Sequence, residues 1–183
     1  MKTKNPTILV IEDKVTDQTL LKRAFSTVGV SDPIHFLKSG KEAIAYMMGE
    51  GEFADRKKYA YPTFILSDLH MPDGDGFSVL EFLKGNPQWA VIPTIILSRS
   101  EDLDDIKTAY LLGASSYHVK PASQTGMTHL MLILHAYWMT CEVPEVDLSG
   151  RQLLTNDKGK LSERFTTGRK AGDKIHRARG HVK

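Results

Sequence analysis

The sequence predicts an α/β domain: a doubly wound (βα)5 three-layer sandwich with its parallel strands in the order 2-1-3-4-5, followed by a basic C-terminal tail. Three observations carry this. Short apolar runs without polar alternation recur at 7–11, 34–37, 63–67, 92–97 and 116–119, as expected of parallel strands covered on both faces. Between them lie stretches with helical spacing, the crossovers that parallel strands need. From position 149 onward the chain is rich in Gly, Lys and Arg and poor in large apolar residues, a composition unable to bury a core. The expected division is therefore a domain over 1–148 and a poorly structured tail over 149–183.

Each helix follows from its apolar spacing. Leu20, Leu21, Ala24, Phe25 and Val28 mark the first, and Ala43, Ile44, Met47 and Met48 the second. Phe77, Leu80 and Leu83 mark the third, while Ile106, Ala109, Tyr110 and Leu112, ahead of Gly113, mark the fourth. Met127, Leu130, Met131, Leu134 and Trp138 form the inner stripe of the fifth. That helix also carries Leu132, Ala136 and Met139 away from the stripe, an apolar excess that a second copy could cover in a homodimer. The link over 49–62, GEGEFADRKKYAYP, is long and charged for a unit of this kind and reads as a surface loop open to a partner.

Composition excludes several classes. The longest apolar stretch, around 131–139, is interrupted by His135 and falls well short of the roughly 20 residues that span a bilayer. The first ten residues lack the apolar block of a secretory signal, so a cytoplasmic protein is expected, without membrane contact. Cys141 is the single cysteine, which rules out an intramolecular disulfide and a cysteine zinc cage. The net charge of +2 hides a split: residues 1–150 hold 14 Lys and Arg against 19 Asp and Glu, or −5, and residues 151–183 hold 10 against 3, or +7. A basic tail can bind nucleic acid by counterion release, so a domain that regulates such binding is the alternative reading; a solvated appendage is the favoured one.

The chemistry gathers at one edge. Glu12 and Asp13 follow the first apolar run and Asp68 follows the third, and the strands they end are neighbours in this sheet order. Two carboxylates about 4 Å apart repel by about 4 kcal/mol at an effective dielectric near 20, so the cluster needs a proton or a cation. Oxygen ligands alone favour Mg2+. A carboxylate beside Mg2+ can attack a phosphoryl group and form an aspartyl phosphate, provided cations and donors neutralise the transferring oxygens. Ser98 after the fourth run and Lys120 after the fifth, stopped by Pro121, supply these at the same rim. A Mg2+-dependent phosphohydrolase is the rival; against it, His70 stands two residues after Asp68, where that chemistry commonly places a leaving-group acid.

The stretches ILVIED, SDLHMPDGDG, ILS and YHVKP together resemble the receiver domain of two-component response regulators, over about residues 6–142. The resemblance implies a flavodoxin-like fold and a protein phosphorylated by a histidine kinase on Asp68. It implies Mg2+ ligated by Asp13 and Asp68, by Glu12 through water, and by the backbone carbonyl of His70. Ser98 and Lys120 would bind the phosphoryl oxygens, and Ser98 with Tyr117 would couple phosphorylation, by an inward rotation of Tyr117, to the face built by the fourth helix, fifth strand and fifth helix. The long loop and the ending HAYWMTCEVP are similar to stand-alone regulators paired with phytochrome-type histidine kinases. Arg99 departs from the pattern, since a small residue usually follows Ser98, and its cation would screen or bind the phosphoryl group; Ser98 replaces the commoner threonine and keeps the hydroxyl. The expected protein is a single-domain response regulator that acts through its binding partners. It is a phosphoacceptor with slow self-dephosphorylation and not a conventional enzyme.

Overall fold

The structure, a computed structural model, describes residues 6–152. Five strands alternate with five helices: β1 (Ile8–Ile11), α1 (Val15–Val28), β2 (Ile34–Leu37), α2 (Gly40–Met48), β3 (Phe64–Ser67), α3 (Gly76–Gly85), β4 (Thr94–Ser98), α4 (Leu103–Leu111), β5 (Ser116–Val119) and α5 (Gln124–Thr140). All neighbouring strands pair parallel, in the order β2-β1-β3-β4-β5. The sheet order and the alternation of elements are those the apolar runs and helical spacings predict.

Side chains alternate across each strand, which divides the core into two layers. Ile8 and Val10 face α1 and α5, meeting Leu21, Phe25, Met127, Met131 and Leu134. Leu9 and Ile11 face the other way, toward Ala43, Met47, Val79 and Leu83 of α2 and α3. A smaller cluster of Leu69, Leu80, Ile96 and Ala109 seats α4. Because the apolar residues of β1, β3 and β4 point both ways, these three strands are buried throughout. The edge strands β2 and β5 are only partly covered, so burial on both faces applies to the centre of the sheet alone. The fourth strand begins at Thr94, two residues later than its apolar run, because Pro93 has no N–H for the ladder.

One other expectation changes. The 49–62 link is not an open loop: a 3-10 turn over Gly51–Ala54 buries Phe53, and Tyr59 packs against the rings of His35, Tyr46 and Phe53. The Tyr46 hydroxyl donates to the Ala60 carbonyl at 2.7 Å, and the Arg56 guanidinium to the Met47 carbonyl at 2.6 Å. Its charges mask an aromatic interior folded onto α2.

On α5, Leu132 and Ala136 are exposed and Met139 is partly buried. It packs on the α1 and α5 core layer. His135, one turn earlier on the same side, reaches Asp32 of the α1–β2 connection at 2.9 Å, so that flank lies against the connection. The exposed companions of Leu132 and Ala136 are Ile133 and Tyr137.

The boundary expected after position 148 falls inside a turn. Val146 and Gln152 form an antiparallel bridge around Gly150, and the Gln152 side chain donates to the Pro87 carbonyl at 2.7 Å. The rest of the expected tail lies outside the described residues. Among the described residues no helix is long and apolar enough to cross a membrane.

Candidate functional site

The carboxyl ends of β1, β3, β4 and β5 meet at one rim. The Asp68 N–H donates to the Ile11 carbonyl, locking the residue after β3 to the end of β1, and the Lys120 N–H donates to the Ser98 carbonyl, doing the same for β5 and β4. Glu12 is fixed from two sides, its carbonyl taking the Gln18 side-chain amide at 2.7 Å and its carboxylate taking the Lys14 N–H at 3.1 Å. Asp68 turns one carboxylate oxygen to the Leu69 N–H at 2.7 Å. Gly76, at the start of α3, approaches this loop closely: a Cβ there would lie 2.5 Å from the Asp68 carbonyl oxygen.

Lys120 is the centre of the site. Its ammonium lies 2.5 Å from Asp68 Oδ2, 2.6 Å from Glu12 Oε2 and 3.2 Å from Asp17 Oδ2, with all four side chains almost wholly buried. Burial alone would discharge the lysine, but the hydrogen bonds it donates to Asp68 and Glu12 outweigh this and hold the ammonium charged above its ordinary range. Glu12 is raised as well: burial pushes its carboxyl up, and Lys120 only partly offsets this. Both upward shifts follow from a cluster with more acids than cations, which keeps its cation charged and favours a proton on one acid.

A carboxylate oxygen of Glu12, one of Asp13 and one of Asp68 all lie within 4.8 Å of one another. Asp13 Oδ1 is buried and has no hydrogen-bond partner. A buried, bare carboxylate oxygen costs desolvation energy that a cation would offset, so this donor set fits an oxygen-preferring divalent ion.

The structure thus brings together Glu12, Asp13, Asp68 and Lys120, with Ser98 at the adjoining strand end, where its hydroxyl takes the Ser100 N–H at 3.2 Å. His70 lies two residues along the same loop and turns its imidazole outward to Asp105 at 2.9 Å. Asp105 also takes the Ser100 hydroxyl at 2.6 Å. The half-buried Tyr117 donates its hydroxyl to the Ser100 carbonyl at 3.0 Å, so its ring already lies toward the β4–α4 connection. Leu132, Ala136 and Met139 lie on α5, with no part in this cluster.

Sequence reasoning missed Asp17. It sits in the first turn of α1, where an acid ordinarily complements the helix dipole, and nothing in its spacing shows that it turns inward. Its second oxygen takes the Arg99 guanidinium at 2.7 Å. Burial opposes its charge, but Arg99 and Lys120 together hold its carboxyl below the usual range.

A doubly wound sheet with an acid cluster and a buried lysine at its carboxyl rim is the arrangement that the sequence resemblance implies. Residues 8–131 match the response regulator receiver domain family, and the chain belongs to it. Response regulator Rcp1 of Synechocystis is 28% identical over 132 residues, 72% of this chain and 88% of its own length. Among solved structures, the response regulator RPA3017 of R. palustris red light signalling is 33% identical with a TM-score of 0.73, covering 76% of this chain and 99% of that one. The phosphorylated cyanobacterial phytochrome response regulator RcpA is 30% identical with a TM-score of 0.71, covering 77% and 99%. Rcp1 itself is known in a Mn2+-bound form.

Proposed function

We propose that this protein is a stand-alone response regulator that takes a phosphoryl group from a histidine kinase onto Asp68 and passes the signal on by changing its protein partners. The observation that carries the reading is the Asp68 carboxylate held against the Lys120 ammonium, beside the unpartnered Asp13 oxygen. One Asp68 oxygen attacks phosphorus; the O–P bond forms as the P–N bond to the kinase imidazole breaks, and the imidazole leaves neutral. Lys120 and the Ser98 hydroxyl bind the phosphoryl oxygens. Asp13, Asp68, Glu12 and the His70 carbonyl would hold Mg2+, which when bound would supply charge neutralisation for the transferring group. Water later attacks the same phosphorus and releases phosphate, so the signal decays slowly without turnover of a separate substrate.

The phosphoryl group adds close to two negative charges at the rim. Ser98 answers it, and through the β4–α4 connection Tyr117 carries the change to α4, β5 and α5. Similarity to RcpA and to the regulator of red light signalling supports a phytochrome-type kinase as the donor. The exposed apolar side chains of α5 support a homodimer, and a cytoplasmic location is part of the same proposal.

The test is phosphotransfer from a panel of histidine kinases and from a small acyl phosphate, in Mg2+. Wild type is expected to take label and Asp68→Asn to take none; equal labelling of the two would remove Asp68 from its role.

A further inference from the structure

We infer that Asp17 competes with the incoming phosphoryl group for Lys120, and that Arg99 sets the strength of that competition. The inference rests on the phosphoacceptor reading of Asp68 and goes one step beyond it.

An ammonium donates three hydrogens. Lys120 is within hydrogen-bond distance of three carboxylates, on Glu12, Asp17 and Asp68, so a phosphoryl oxygen can be bound only by giving one of them up. The distances rank them. Asp17 is the furthest, at 3.2 Å against 2.6 Å for Glu12 and 2.5 Å for Asp68.

Asp17 is also the partner that can best be left. Its carboxylate is only 2% exposed, so its charge needs a cation at all times. Its other oxygen already has one, the Arg99 guanidinium at 2.7 Å. When Lys120 turns to a phosphoryl oxygen, Arg99 remains to neutralise Asp17. Arg99 is itself 65% exposed, is hydrogen-bonded to no other partner among the described residues, and follows Ser98 directly in the chain.

The two residues therefore act in opposite senses. Neutralising Asp17 frees the third hydrogen of Lys120 and favours the phosphoryl group. Removing Arg99 leaves Lys120 as the single cation on a buried carboxylate and tightens that hold. A general charge effect would also give opposite signs, but it would act on the phosphoryl group independently at each residue. Competition predicts that Arg99 acts only through Asp17.

The experiment uses the full chain in saturating Mg2+ with beryllofluoride as the phosphoryl probe, its half-saturation read by fluorine NMR, and the lifetime of labelled protein measured alongside. Asp17→Asn is expected to bind the probe about tenfold more tightly, the scale of one charge-assisted hydrogen bond. Arg99→Ala is expected to bind it more weakly and Arg99→Lys to restore binding toward wild type. The double variant is expected to match Asp17→Asn. Single variants that move in the same direction, or a double variant in which the two effects add, overturn the inference. If Asp17→Asn does not fold, unchanged binding in the surface variant Arg99→Ala still overturns the inference. A Asp68→Asn variant that takes label like wild type would instead strike the phosphoacceptor reading.

Discussion

Asp13 shows how one side chain reports on the chemistry around it. Its buried Oδ1 has no hydrogen-bond partner, a costly condition for a carboxylate oxygen and one that a divalent cation relieves. Mg2+ is therefore expected to raise the melting temperature of the wild-type protein, by the equivalent of about 2.7 kcal/mol at a concentration 100 times its dissociation constant. Asp13→Asn should lose most of that rise; thermal unfolding with and without Mg2+ measures it, and an undiminished rise would remove Asp13 from the ligand set. The types and positions of Glu12, Asp13, Asp68, Ser98 and Lys120 were all legible in the sequence, because each follows an apolar run that ends at one rim. Asp17 was not, since the contact that gives it meaning spans 103 residues.

At the scale of the element, β2 and the lobe over 49–62 belong together. His35 of β2 packs against Tyr46 and Tyr59, and its Nε2 is buried without a hydrogen-bond partner. Burial therefore holds the imidazole below its ordinary range, and it does the same to His118 of β5. A depressed histidine means that the unfolded chain binds the proton first. Stability is full above the ordinary value of about 6.5 and is lost as the pH falls through it toward the folded-state value. Melting temperatures measured between pH 8 and pH 5 should decline in the acid half, and His35→Phe, which keeps a ring among the aromatics, should flatten the decline. An unchanged slope in that variant would show that His35 is not a source of it. The charged sequence of the lobe hid this packing, because its aromatic residues are spaced without a strand or helix period.

Across the whole molecule, the site lies at the carboxyl rim of the sheet and the exposed apolar residues of α5 lie outside the acid cluster, so the proposed switch reaches its partners through α4, β5 and α5. Leu132, Ile133 and Tyr137 are at least half exposed on α5. Replacing Ile133 with Glu is expected to leave thermal stability within about 0.5 kcal/mol of wild type, as for an exposed position, and to abolish the proposed homodimer. Sedimentation velocity with and without beryllofluoride reads this directly; a dimer that survives in the variant would move the interface elsewhere.

Local pattern was sufficient for the strand and helix sequence, the parallel sheet and the rim residues. A short run of apolar residues between helical spacings signals a strand, and a doubly wound sheet puts all its strand ends on one side. Only the tertiary structure decided that Asp17 turns to Lys120 and Arg99, that Met139 is partly buried while Ile133 and Tyr137 are exposed, and that the charged link folds onto α2. Each of these depends on contact between segments distant in the chain, and periodicity along a segment carries no information about what lies across from it.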